Sequence, residues 1–254
     1  MTPARRRVVA PLVGIVAFCL AWEGFVRLFD VRRFVLLPPS AIVAELADAP
    51  DFYWSNAMVT ARHMAIGLSI SLLVSIAVGA VMASSRFIEE ATQPVLILIL
   101  VTPWVAYITS VVLWLGRGEP SILFMVAFTT FPVLTFGVVG GMKSADPSAR
   151  ELFASVDARP WEVFWRLRLP AALPSIFTTL RLALGLGLAA AYFSEGSALT
   201  TDGLGAIGRR AASSNLAETL WATIASAALL GIAGLAILSA LERSLLRWHV
   251  SQRA

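Results

Sequence analysis

The apolar positions of this chain come in long unbroken runs. They follow neither the alternation of a half-buried strand nor the one-sided stripe of a soluble helix. Crossing the hydrocarbon core of a bilayer takes about 20 apolar residues. Six stretches reach or approach that length, at 8–28, 64–84, 94–115, 121–142, 173–193 and 220–241. The pattern predicts an all-α membrane protein of about six transmembrane helices, with residues 1–254 as a single transmembrane domain. Two polar interruptions stand out, at 29–63 and 143–170.

The first interruption holds Leu37-Pro38-Pro39-Ser40 and then an amphipathic stretch, Ala41 to Leu46. Ser40 is a fair N-cap after Pro39, so a short helix at the membrane interface is expected there. The second has Leu152, Val156, Trp161, Phe164 and Leu167 at mixed three-, four- and five-residue spacing, with charges between them. Pro147 is placed to open one helix and Pro160 a second. Apolar residues on a solvated helical loop fit a docking surface. They fit equally well a helix lying on the membrane.

Composition strengthens the membrane reading. Hydrophobic residues make up 58% of the chain and charged residues 14%, against roughly a quarter charged in a soluble domain. The net charge of +4 does not require nucleic acid, because basic residues collect in cytoplasmic loops, and here they form no single stripe. No nucleic-acid partner is expected. With both termini inside, the cytoplasmic segments carry Arg5, Arg6, Arg7, Arg86, Lys143, Arg150, Arg159, Arg166, Arg168, Arg181, Arg243, Arg247 and Arg253. The outer segments keep Arg27, Arg32, Arg33, Arg62, Arg117, Arg209 and Arg210, so the bias follows the positive-inside rule. Arg5–Arg7 ahead of an apolar run resemble a signal peptide, but no small-x-small cleavage site follows, and an uncleaved first span is the better reading. Cys19, the one cysteine, offers neither a disulfide nor a thiolate metal site and reads as a small apolar residue facing lipid or packed.

Catalytic signatures are missing. The single lysine, Lys143, follows Met142 and not the glycine of a phosphate-cradling loop, so this chain does not hold ATP in that way. His63 and His249 lie near predicted span ends and read as solvated surface residues. There is no H-E-x-x-H and no G-x-S-x-G, and no metal site or catalytic residue is assigned. A secondary carrier usually places ionisable residues deep in the bilayer. Here Glu23 and Glu195 fall at outer span ends and no acidic residue sits at a span centre. An ion-coupled carrier with sites built from backbone carbonyls is the alternative left open.

Some polar and aromatic residues within the spans are candidates for a substrate pathway: Trp104 and Tyr107 beside Pro103, Thr130 (with Thr129) beside Pro132, and Tyr192 and Glu195 at the end of span five. Competing with that role, Trp and Tyr form belts at membrane interfaces, and Thr often bonds to its own helix. Pro103 and Pro132 are expected to kink their helices. Arg181, near the inner end of span five, reads equally as a snorkelling residue or a ligand.

The segment from Glu151 to Pro174 runs Glu151-Leu-Phe-Ala154-Ser-Val-Asp157-Ala158-Arg-Pro-Trp161-Glu-Val-Phe164-Trp-Arg-Leu-Arg-Leu169-Pro170-Ala-Ala-Leu-Pro174. It resembles the EAA loop of ABC-importer permeases, E-A-A-x-x-x-G-A-x-x-x-x-x-F-x-x-I-x-L-P. Glu151, Ala158, Phe164, Leu169 and Pro170 fall at the matching positions. Leu37 to Leu46, Leu113-Trp-Leu-Gly116-Arg-Gly118, Thr130-Phe131-Pro132, Leu180-Arg181-Leu-Ala183-Leu-Gly185, Glu195, Gly203-Leu-Gly205 and the tail Leu241-Glu242-Arg243 with Leu246-Arg247-Trp248 are similar to segments of the nitrate/sulfonate/taurine group of these permeases. The resemblance covers about residues 36–249, and the order and spacing of the motifs make it specific.

The resemblance implies a type I ABC-importer permease fold with a cytoplasmic coupling helix in the loop at about 143–170. Glu151, Asp157, Ala158, Phe164 and Pro170 are then the residues coupled to the ATPase. It also implies two copies of a separate ATPase subunit that bind ATP and Mg, no cofactor in this chain, a permease homodimer, and an extracytoplasmic substrate-binding protein. The location implied is the bacterial inner membrane, multi-pass, with both termini cytoplasmic. The substrates of the group are nitrate-, sulfonate- or taurine-like anions, and also thiamine precursors and riboflavin. The family's two alanines are Leu152 and Phe153 here and its glycine is Asp157, which points to a dedicated ATPase partner with a reshaped groove.

Overall fold

The computed structural model describes residues 3–33 and 35–246. Arg247, Trp248, His249 and Arg253 lie outside the described residues, as do the side chains of Arg5, Arg6 and Arg7. The elements are α1 (Pro3–Leu28), α2 (Pro39–Asp48), α3 (Pro50–Ser84), α4 (Arg86–Val101), a 3-10 turn (Trp104–Tyr107), α5 (Ile108–Leu115), α6 (Glu119–Lys143), α7 (Pro147–Ser155) and α8 (Pro160–Val163). A π-turn (Phe164–Arg168), α9 (Leu169–Ser194), a second π-turn (Glu195–Leu199), α10 (Leu204–Ser213) and α11 (Ala217–Leu245) complete them. Five helices are long and apolar enough to cross a membrane, and a sixth span is completed if the bent pair Arg86–Val101 and Trp104–Leu115 counts as one.

That bent pair corrects the continuous span expected at 94–115. The chain turns by 89° between Val101 and Trp104. The cause is local. A residue preceding proline is pushed out of the α region, and Thr102 is accordingly extended (φ −75°, ψ 132°) ahead of Pro103. Pro94 is in the interior of α4 and does not end it. Pro132 likewise lies inside α6, which runs through it. The expected outer segment 29–63 is also revised, because α3 starts at Pro50 and has 35 residues. At 1.5 Å per residue this is about 52 Å, well beyond a hydrocarbon core of about 30 Å. Asp51, Asn56, Thr60 and His63 break the hydropathy run but not the helix.

Ser40 is not an N-cap. α2 opens on Pro39 with Pro38 in the cap position. The first turn is capped from α1 instead: Ser40 donates its N–H (3.0 Å) and its hydroxyl (2.7 Å) to the Glu23 carboxylate, which also accepts from Arg27. A carboxylate at a helix N-terminus satisfies the free amides there and complements the helix dipole.

α6 is the centre of the bundle. Of its most apolar stretch 61% is buried against protein, compared with 6% for α1 and 11% for α11, so those two helices lie at the periphery and leave most of their apolar surface outside the packing of this chain. α3 and α9 flank α6. α3 approaches through Gly67, Ser71, Ser75 and Gly79, a four-residue repeat that is buried throughout. Ser75 bonds to the Phe131 carbonyl (3.2 Å) and accepts from Thr135 (3.1 Å). Small residues let helix backbones close in where lipid removes the hydrophobic drive to associate. On the other side Val138 and Met142 of α6 pack with Ala172 and Ile176 of α9. A Cβ on Gly141 would stand 2.8 Å from Ala172 Cα and 2.9 Å from Ser175 Cβ. Gly141→Ala is therefore expected to force α6 and α9 apart, at a cost of about 1–3 kcal/mol. A thermal melt of the detergent-solubilised protein checks this, and an unchanged midpoint would count against such close packing.

Candidate functional site

The 143–170 loop forms two short helices joined by a tight turn. Asp146 caps α7, its carboxylate accepting from the Ser148 N–H at 2.9 Å, and Pro147 fills the first helical position. Arg150 donates to the Lys143 carbonyl, tying α7 to the end of α6. Glu151 and Asp157 are exposed. Leu152, Val156 and Trp161 are 63%, 66% and 68% exposed, so this face leaves most of its apolar surface uncovered by the chain. Phe164 behaves differently. It packs against the Val138, Met142, Ala172 and Ile176 cluster and stacks edge-on with Trp165. Ala158 and Pro170 are half-buried, Pro170 in the first turn of α9. The helix pair is thus rooted in the bundle by Phe164 and presents Glu151 and Trp161 outward.

Asp157 closes α7 in the left-handed region, at φ +53°. Its N–H donates to the Ala154 carbonyl, and the Ala158 N–H donates to the Phe153 carbonyl at 3.0 Å. Glycine suits such a cap, whereas aspartate takes it at a modest cost. Asp157→Gly is expected to stabilise the loop by about 0.5 kcal/mol or be neutral. Proteolytic nicking between α7 and α8 measures this, and faster cleavage in the variant would contradict it.

The pathway residues named from sequence do not converge. Trp104 packs on Phe193 with ring centroids 5.7 Å apart, and Tyr107 on Phe128 at 5.2 Å. Thr130 gives its hydroxyl to the Val126 carbonyl of its own helix (2.8 Å). The Tyr192 hydroxyl meets Thr223 Oγ1 at 3.0 Å. Arg181 pairs with Glu242. Each is engaged by protein, and of the five pathway residues only Glu195 reaches the wall of the arginine-lined cavity described below.

Glu195 is the centre of a second cluster that the sequence reading did not anticipate. It follows α9, opens the second π-turn and is fully buried. Its Oε1 lies 2.8 Å from His63 Nδ1. Its Oε2 accepts from Thr60 Oγ1 at 2.9 Å and from the Gly205 N–H at 3.0 Å. Thr60 Oγ1 also receives the Leu204 N–H (2.9 Å), and Asn56 Oδ1 the Gly203 N–H (2.9 Å). One face of α3 together with Glu195 thus holds the first turn of α10. His63 is 3% exposed, which overturns its reading as a solvated residue. Gly203 (φ +102°) and Gly205 are required by this fit. A Cβ on Gly203 would meet Glu195 Oε2 at 2.5 Å, and one on Gly205 would meet the Tyr192 carbonyl oxygen at 1.8 Å. The signal available in sequence was the spacing Asn56, Thr60, His63, Gly67, which puts all four on one helical face.

Next to this cluster opens a cavity of about 590 Å³, lined by Arg117, Glu195, Leu199, Thr200, Thr201, Ala206, Arg209, Arg210 and Ser213. Arg209 donates to the Gly196 carbonyl (2.6 Å) and Arg210 to the Thr201 carbonyl (2.7 Å). Among the described residues no group of three or more His, Cys, Asp or Glu is arranged to hold a metal ion.

The formylaminopyrimidine transport permease protein ThiX of Halalkalibacterium halodurans is 29% identical over 243 residues, covering 95% of this chain and 96% of its own. The taurine transport system permease protein TauC of Escherichia coli is 27% identical over 254 residues, covering 97% and 92%. The riboflavin transport system permease protein RibX of Chloroflexus aurantiacus is 26% identical over 241 residues, covering 94% and 90%. All three are transport permeases, and the family model they point to matches residues 72–247, from the middle of α3 past the end of α11. An all-helical bundle with an outward-facing loop between α6 and α9 therefore belongs to the binding-protein-dependent transport system inner membrane component family, the permease subunits of ABC importers.

Proposed function

We propose that this chain is the membrane-spanning subunit of an ATP-driven importer for a small solute, with a nitrate-, sulfonate- or taurine-like anion favoured over a thiamine-precursor- or riboflavin-like compound. Two copies form the pathway. Each seats its α7–α8 loop in a groove of a separate ATPase subunit, which binds ATP and Mg, and an extracytoplasmic binding protein delivers the solute. Both termini and the 143–170 loop face the cytoplasm. The observation that carries this reading is the loop itself. Apolar and charged side chains from Glu151 to Trp161 are exposed at the end of a helix pair anchored by Phe164.

The mechanism follows from that anchoring. Phe164 packs on both α6 and α9, so force on the loop is delivered to the two most tightly packed helices of the bundle. Approach of the two ATPase subunits on binding ATP moves the loops together. α6 and α9 then rotate as a pair and open the pathway outward. Co-reconstitution of the chain with its ATPase and binding protein in liposomes tests the proposal. Uptake that needs all three components and ATP is expected. Uptake by the chain alone on an ion gradient makes it a secondary carrier.

A further inference from the structure

We propose that the cavity between α10 and the α5–α6 turn is an oxyanion-receiving site of the permease, with Arg209 and Arg210 as its principal ligands and Arg117 on the facing wall. This rests on the importer reading and specifies the solute class it takes. The cavity volume of about 590 Å³ is that of a small-molecule site. Its lining includes three arginines and the hydroxyl-bearing Thr200, Thr201 and Ser213.

Arg209 and Arg210 are each tethered by one bond to a backbone carbonyl, of Gly196 and Thr201 respectively. A guanidinium has five N–H donors in a fixed fork, so one tether fixes its direction and leaves donors to spare. Forks of this kind match the paired oxygens of a carboxylate, sulfonate or nitrate. The one carboxylate in the wall is Glu195. Both its oxygens are turned to Thr60, His63 and the Gly205 amide, and it is fully buried. Those bonds commit it to α3 and to the start of α10. Arg209 and Arg210, each with donors to spare beyond its tether, give the cavity a positive face, and its walls focus that field on an entering anion.

The position adds a reason for the site. α10 is held to α3 through Asn56 and Thr60 and to Glu195 through the Gly205 amide, so the two arginines ride on a helix fastened at its first turn. They lie at the end of α9 remote from the Phe164 loop. An anion released from a binding protein at that end meets these arginines before the membrane interior, where a bare charge is costly.

The test uses the intact permease–ATPase complex in nanodiscs, without the binding protein. Methanesulfonate and nitrate are titrated by calorimetry, with acetamide and riboflavin as neutral controls. The anions are expected to bind and the neutral compounds not to. The Arg209→Gln/Arg210→Gln variant is expected to lose affinity about tenfold or more. Arg209→Lys/Arg210→Lys keeps the charge and a carbonyl tether but loses the fork, and is expected to fall between. Arg86→Gln, at an exposed ion pair with Glu90 on α4, which contributes nothing to the cavity lining, is expected to bind as the parent does. Anion binding equal in the parent and the double Gln variant, no anion binding by the parent, or equal binding of riboflavin each overturns the proposal. ATP-driven uptake is measured on the same variants reconstituted in liposomes together with the binding protein. Uptake that persists when anion binding fails retains the importer reading and removes only the oxyanion site. ATP hydrolysis with no uptake of any solute removes the importer reading.

Discussion

Replacing Glu195 by alanine is expected to destabilise the protein by about 3–5 kcal/mol, the usual loss when one member of a buried, hydrogen-bonded pair is removed. The size follows from what is left behind. His63 at 3% exposure and Thr60 at 0% have no access to water, and the Gly205 amide loses its acceptor. Each unsatisfied donor costs about 1–3 kcal/mol in such a place. For a chain of this size the melting midpoint should fall by about 10 °C. The same change releases the first turn of α10, so the cavity arginines lose their fixed direction and uptake should fall with stability. Glu195→Gln separates shape from charge. Its carbonyl can replace Oε2 toward Thr60 and Gly205 while its amide donates to His63 Nδ1, provided the imidazole carries its proton on Nε2. The Gln variant should therefore keep most of the stability. An alanine variant that melts within about 2 °C of the parent would falsify the view that this carboxylate organises the α10 end of the bundle.

How far the sequence foretold this architecture varies by element. The long apolar runs at 8–28, 121–142, 173–193 and 220–241 all lie within single helices, because a run that fills the hydrocarbon has no other stable form. The 94–115 run misled, since hydropathy is blind to direction and an X-Pro step at Thr102-Pro103 turned the chain by 89° without interrupting the apolar pattern. The polar start of α3 was missed for the opposite reason. Asn56, Thr60 and His63 look like loop residues by hydropathy, yet they form the face that grips α10. The helices of the 143–170 loop were legible because proline marks a helix start locally, at Pro147 and Pro160. The arginine-lined cavity was not. Arg117 and Arg209 are 92 positions apart in sequence, and only the fold, which sets α10 across the cavity from the α5–α6 turn, brings both to its lining.

Reversing the charge of Glu151 is expected to have the largest functional effect. Glu151 lies on the exposed face of α7, one residue before Leu152 and within the helix pair that carries Trp161. Exposed as it is, it adds little to the stability of this chain, and a surface substitution of this kind usually shifts stability by about 0.5 kcal/mol or less. Glu151→Arg should therefore leave the melting midpoint of the isolated permease unchanged. At an interface the same change does more, because a like-charge juxtaposition there costs several kcal/mol, and each 1.4 kcal/mol is about tenfold in affinity. The ATPase subunit is expected to co-purify with the parent chain and to be absent from the variant, with ATP-driven uptake lost to background. Phe164→Ala should act differently. It removes a half-buried ring packed against Val138, Met142, Ala172 and Ile176, so it should cost about 1–3 kcal/mol of stability and uncouple the loop even where the ATPase still binds. The pair of variants therefore separates docking from force transmission. Retained ATPase and retained uptake in Glu151→Arg would place the contact elsewhere on the exposed loop, with Trp161 and Val156 as the next positions to change.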